Sequence, residues 1–158
     1  MAGCCTVPTP EAPPTCPLCG ARGRLVPRRT VEALLRPERR GSMTGARYFF
    51  VEGPGCEVVY YAGDGSHWFA KEDLVVRVGS KETEPPIPVC YCFEKTEAMV
   101  IEDVLACGRS AIFDEIMAHV RAGECHCDVK NPSGRCCLRA VTRAIQKAQR
   151  IARLGSAP

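Results

Sequence analysis

Aromatic residues make up only 6% of this 158-residue chain, too few to build a platform on which the bases of a single strand could stack. Charge of neither sign dominates. Lys and Arg number 21 against 18 Asp and Glu, and the resulting +3 is too small an excess to argue for nucleic acid. No apolar run approaches the length of a membrane span, so membrane insertion is not expected. The opening stretch MAGCCTVPTPEAPPT has neither a charged n-region nor an apolar h-region, so it does not read as a secretion signal. Phosphate-cradling glycine loops, a hydrolase elbow and internal repeats are also missing, and no catalytic constellation is visible.

Cysteine is what the chain has in excess, with 12 residues. Without an export signal the expected compartment is the reducing cytoplasm. There a cysteine-rich chain reads as a set of metal ligands rather than as a disulfide scaffold.

The expected fold class is α+β, a small β-rich zinc-binding module followed by a helical module. Residues 1–15, rich in Pro and Thr, read as a flexible tail. Residues 16–78 form the first module, with a short helix over 30–35 capped by Thr30 and strands over 47–51, 57–62 and 74–78. Residues 79–88 carry three prolines and no hydrophobic pattern and read as a linker. Residues 89–158 read as helical. Thr96 caps a helix carrying Val100, Ile101, Val104 and Leu105, ended by Gly108. Ser110 caps a second with Ile112, Phe113, Ile116, Met117 and Val120. A third begins near Cys136 and carries Leu138, Val141, Ile145 and Leu154.

In the first module Cys16 and Cys19, within CPLCG, have zinc-knuckle spacing, and Gly20 permits the tight turn. Cys56 is the expected third ligand. A structural zinc ion needs a fourth, for which His67 is the leading candidate, with Glu52 and Asp64 behind it. In the second module six cysteines form three pairs: Cys90 and Cys92, Cys125 and Cys127, and Cys136 and Cys137. Thiolates are soft ligands that select iron–sulfur clusters, zinc or cuprous copper. A helical hairpin would return the later pairs to Cys90 and Cys92. Four thiolates would then grip a [2Fe-2S] cluster near helix starts, whose positive partial charge suits an anionic cluster. Cys90 and Cys92 are expected to share one iron. Cys90, Cys92, Cys127 and Cys137 are the favoured ligands, with Cys125 and Cys136 as alternates. Lys130, Arg135 and Arg139 could add to the field, and His126 could hydrogen-bond a cluster sulfur. Cys107 reads as a small core residue. Cys4 and Cys5 in the tail could capture a soft metal such as Cu(I). The basic runs 22–29 and 36–40 read as solvated faces or as docking ground for an acidic partner.

The strings VCYCFEKTEAMVIEDV and GECHCDVKNPSGRCCL resemble bacterioferritin-associated-ferredoxin-like (BFD-like) [2Fe-2S] domains. More closely, the chain resembles CopZ-type copper chaperones that carry an iron–sulfur cluster and a zinc module opening on CPxCG. That resemblance implies a cytoplasmic metallochaperone with one zinc ion and one [2Fe-2S] cluster, whose one-electron chemistry would reduce Cu(II) to Cu(I) for thiolates to hold. It also implies a copper-export ATPase or a redox protein as partner. No MxCxxC motif is present, so the copper-transfer domain of the family's best-known architecture is not expected here. Two further readings stand beside it. One is a BFD-like ferredoxin adaptor that passes electrons to a partner with no copper role. The other is a zinc-only interaction or nucleic-acid module.

Overall fold

The computed structural model describes residues 14–155. Most of the expected tail, with Cys4 and Cys5, lies outside the described residues.

Two runs, Tyr48–Phe50 (β2) and Val58–Ala62 (β3), are apolar on both faces, and both are buried throughout. They form the centre of a four-stranded antiparallel sheet in the order β1–β2–β3–β4, with Arg24–Val26 (β1) and Trp68–Ala70 (β4) at its edges. The register sets Leu25 opposite Phe49, Phe49 opposite Tyr61, and Tyr61 opposite Trp68. Because successive side chains alternate faces, each strand feeds two cores. Tyr48, Phe50 and Tyr60 pack with Val31, Leu34, Leu35, Phe69, Leu74 and Val78 on one face. Phe49, Val51, Val58 and Tyr61 pack with Cys16 and Cys56 on the other. The first core is covered by Arg28–Leu34 (α1), which is followed by the single turn Pro37–Arg40 (α2).

Several expectations are corrected. Residues 74–78 form no strand. Leu74 and Val78 are buried, but the backbone makes only one bridge, Leu74 with Leu35, because β4 already closes that edge of the sheet. Thr30 does not cap α1. It lies inside the helix, fully buried, and its hydroxyl donates to the Asp128 carbonyl instead.

The second half opens with a small antiparallel hairpin, Pro88–Cys90 (β5) and Lys95–Thr96 (β6). Helix Glu97–Cys107 (α3) follows, with the Thr96 hydroxyl accepting from Met99 N–H at 3.3 Å and Gly108 in the left-handed conformation at φ 72°. Helix Ala111–Arg121 (α4) is capped by Ser110, which accepts from Phe113 N–H at 3.0 Å. A single turn, Cys127–Lys130 (α5), precedes the long helix Leu138–Gly155 (α6). Val100, Ile116, Val141 and Ala144 close around Val89, Cys90 and Cys137, so two cysteines belong to this core. The expected stripes are narrower than the pattern suggests: Leu105 is 47% exposed and Leu154 is 79% exposed. Cys107, expected in the core, is exposed at the end of α3.

The two halves are joined by specific contacts. The Thr30 bond to Asp128 is reinforced by Arg29 against the Asp128 carboxylate at 3.1 Å. Tyr60 donates from the first core to the Pro132 carbonyl at 2.7 Å. Glu52 receives Arg143 from α6 at 2.9 Å and Arg24 from β1 at 3.6 Å. No helix among the described residues is long and apolar enough to cross a membrane.

Candidate metal centres

The chain around Cys16 folds back on itself. Gly20 N–H donates to the Cys16 carbonyl and Cys16 N–H to the Ala21 carbonyl, both at 2.8 Å, and Gly20 sits at φ 70°. This tight turn aims Cys16 and Cys19 at the same point, and Cys56 reaches it from the connection between β2 and β3. The three sulfurs lie within 4.8 Å of one another, and Cys16 and Cys56 are 3.9 Å apart. A tetrahedral ion with metal–sulfur bonds of ~2.3 Å has ligand edges of about 3.8 Å, so the sulfur geometry suits zinc. Burial pushes the Cys56 thiol up to about 11, while the Ala21 N–H lowers that of Cys19. A small cavity of about 230 Å³ opens beside Cys19 and Cys56 and is also lined by Glu52.

The structure does not bring His67 to these sulfurs. Its Nε2 is bonded to the Tyr48 hydroxyl at 2.9 Å and its Nδ1 to the Ser66 hydroxyl at 2.8 Å. Its ring packs against Tyr48 and Phe69, whose side chains fill the core on the other face of the sheet from Cys16. Asp64 is tied to Ser66, and Glu52 is held by its two arginines. No fourth His, Cys, Asp or Glu joins the three cysteines among the described residues.

The second group gathers around Cys137, which is buried and immediately precedes α6, its carbonyl accepting from Ala140 and Val141 N–H. Cys90 ends β5 and meets Cys137 with sulfurs 3.0 Å apart, while Cys92 meets Cys127 at 3.6 Å. Both separations exceed the ~2.05 Å of a disulfide; that of Cys92 and Cys127 falls near the edge of about 3.8 Å between sulfurs on one metal, and that of Cys90 and Cys137 is shorter. The close pairs run across the fold, Cys90 with Cys137 and Cys92 with Cys127. Cys136 lies exposed within 4.8 Å of Cys127 and Cys137, and Cys125 is half-buried beside them. The backbone N–H of His126, rather than its ring, donates to Cys92 sulfur at 3.3 Å.

The thiols differ in acidity. The Cys137 thiol, hydrogen-bonding both neighbours, lowers Cys90 to about 7 and Cys127 to about 6, and its own value is driven far upward in return. Burial raises Cys92 to about 12. Cys90 and Cys127 are thus the two sulfurs of the four that their surroundings shift toward thiolate, the form that binds metal.

A cavity of about 670 Å³ lies where the halves meet and is lined by Arg24, Arg135, Arg139 and Arg143 together with Cys136 and Cys137. The arginines of α2 turn elsewhere: Arg39 pairs with Asp73 at 2.7 Å and Arg40 donates to the Leu35 carbonyl. Sequence reasoning missed Glu52 as the joint between the halves. It also missed Lys81, which is buried near the first cysteine group. Neither carries a local signal, since each acquires its surroundings only when distant segments pack.

Residues 13–75 match a family described as a zinc binding domain, of the CopZ type. The copper chaperone CopZ of Archaeoglobus fulgidus is 38% identical over 123 residues, which is 77% of this chain and 57% of that protein, so the chain spans little more than half of the relative's length. The X-ray structure of the A. fulgidus CopZ N-terminal domain superposes with a TM-score of 0.69 at 35% identity, covering 82% of this chain and 95% of the solved one. On sequence identity and fold together, the chain belongs to the CopZ family.

Proposed function

We propose that the chain is a metallochaperone-type protein that couples one-electron redox chemistry to the handling of soft metal, cuprous copper above all. Cys16, Cys19 and Cys56 would hold a structural zinc ion. Cys90, Cys92, Cys127 and Cys137 would hold a [2Fe-2S] cluster, with Cys125 and Cys136 at its rim. When bound, such a cluster supplies single-electron exchange. The observation that carries this reading is the convergence of four sulfurs in two close pairs, 3.0 and 3.6 Å apart, beside the start of α6. The copper-chaperone name of the A. fulgidus relative supports the choice of cargo. A copper-transporting ATPase is the partner this reading implies.

The protein's residues would divide the work. Before metal enters, Cys137 S–H donates to the Cys90 sulfur, and its contacts lower the Cys90 and Cys127 thiols toward the ligating form; Cys137 itself would give up its proton on ligation. The His126 amide stabilises charge on the Cys92 sulfur. Packing of Val100, Ile116, Val141 and Ala144 around Cys90 and Cys137 keeps water from that side.

Anaerobic purification with iron, sulfide and zinc analysis tests the reading. A chromophore bleached by dithionite, with two irons and one zinc per chain, is the expected result. Serine at Cys90, Cys92, Cys127 or Cys137 should abolish it, while serine at Cys125 or Cys136 should leave it. Tight, stoichiometric Cu(I) binding without loss of the cluster separates the chaperone from a BFD-like electron-transfer adaptor, which would not bind it. Pale, sulfide-free protein would overturn the cluster assignment.

A further inference from the structure

Lys81 is 5% exposed, and its ammonium nitrogen is buried with no hydrogen-bond partner among the described residues. Burying an unpaired ammonium costs several kcal/mol, so such a group is normally matched by an anion. Burial lowers the proton affinity of the Lys81 ammonium, and the charges that oppose this are those of Cys56, Cys19, Cys16 and Glu52. Glu52 is already occupied by Arg24 and Arg143. The anions left to answer the ammonium are the three thiolates.

We propose that Lys81 is the built-in counter-charge of the Cys16–Cys19–Cys56 metal site, acting across space rather than through a hydrogen bond. Three thiolates around one divalent ion leave a single negative charge in a largely buried setting, and one ammonium cancels it. This completes the site electrostatically without a fourth charged ligand. The inference rests on the zinc reading of those cysteines.

The position of Lys81 is fixed from the other half of the molecule. It ends the tight turn Gly79–Lys81, beyond the matched zinc-binding stretch of residues 13–75. Lys81 N–H donates to the Val78 carbonyl at 2.7 Å. Gly79 N–H donates to the Tyr91 hydroxyl at 2.8 Å, and that hydroxyl donates to the Arg77 carbonyl at 3.0 Å. Tyr91 stands between Cys90 and Cys92, so the residue that neutralises one metal group is anchored on the loop that carries the other.

The test compares full-length wild type with Lys81→Met, similar in length but uncharged, and Lys81→Arg. Zinc affinity is read by chelator competition, and the sulfur-to-cobalt charge-transfer bands are read after cobalt substitution at the same site. Lys81→Met should weaken zinc binding roughly tenfold or more, the scale on which one adjacent opposite charge shifts an ionic equilibrium. It should also move the charge-transfer bands to longer wavelength, because unneutralised thiolate gives up its electron more readily. Lys81→Arg should restore both. Unchanged affinity and bands in Lys81→Met would overturn the proposal. So would weaker binding with unmoved bands and no rescue by Arg, which would make Lys81 a packing residue only. A wild-type chain that takes up neither metal at these sulfurs would instead overturn the zinc reading, and the proposal with it.

Discussion

Tyr91 shows how one side chain can serve two neighbourhoods. Its backbone belongs to the Cys90-Tyr91-Cys92 loop, while its hydroxyl accepts from Gly79 and donates to Arg77, closing the turn that ends at Lys81. Burial raises the phenol to about 12, so it remains a neutral donor at any physiological pH. Tyr91→Phe should therefore cost about 1–2 kcal/mol, the price of stranding two inward-facing backbone groups. Urea melts of the metal-loaded chain would measure it, and a loss under a few tenths of a kcal/mol would show that water replaces the hydroxyl. Gly79 is constrained more severely. A Cβ there would lie 2.0 Å from the Pro88 carbonyl oxygen, a backbone atom that cannot rotate away. Gly79→Ala should displace the turn from β5 and destabilise by roughly 3 kcal/mol or more, seen as a lowered melting temperature or loss of soluble protein.

At the level of elements, two threonines that look alike in sequence do opposite things. Thr96 accepts from Met99 N–H at the start of α3, as its position before a helical pattern foretells. Thr96→Ala should cost about 1 kcal/mol, measurable by the same melts. Thr30 also precedes an apolar run, but the helix begins two residues earlier behind Pro27, which leaves Thr30 facing inward. Its hydroxyl then bonds the Asp128 carbonyl across the junction of the halves. Thr30→Val, similar in shape without the donor, should cost roughly 1–3 kcal/mol and leave α1 helical by circular dichroism. An unchanged melting point would show that the carbonyl finds another partner. The contrast explains what was legible. The helices over 97–107, 111–121 and 138–155, with Thr96, Ser110 and Gly108 as their boundaries, are written in neighbouring residues. The clustering of Cys16, Cys19 and Cys56 was also readable, because a knuckle spacing dictates a turn. The strands Arg24–Val26 and Trp68–Ala70 and the turn Cys127–Lys130 are too short to show a period. His67 lies apart from the sulfurs because, just ahead of β4, it shares the face of Phe69, two residues on, where its ring packs against Tyr48 and Phe69.

Across the whole molecule, Glu52 is where the sheet meets the helices, since Arg24 belongs to β1 and Arg143 to α6. Burial alone would raise its carboxyl. The hydrogen bond from Arg143 and the charges of Arg143, Arg24 and Arg139 more than reverse this and hold it below its ordinary value near 4.5. A carboxyl more acidic when folded than when unfolded adds stability that is complete above the ordinary value. That stability is lost as pH falls through the lowered one, because the folded chain must then accept a proton it resists. Both Glu52 and Arg143 are partly solvated, so screening limits the effect to about 1 kcal/mol at neutral pH, and less in high salt. Glu52→Gln should therefore be less stable than wild type at pH 7 by about that amount. The difference should close as the solution is acidified below the ordinary carboxylate range, where wild-type Glu52 is itself uncharged. Melts of both chains in the same metal state, from pH 7 downward, test the sign directly. The thiolates titrate alike in the two proteins and cancel in the comparison. A gap that stays constant with pH would mean that Glu52 contributes shape rather than charge, and that the halves are held by the Tyr60 and Thr30 hydrogen bonds and the Arg29–Asp128 pair.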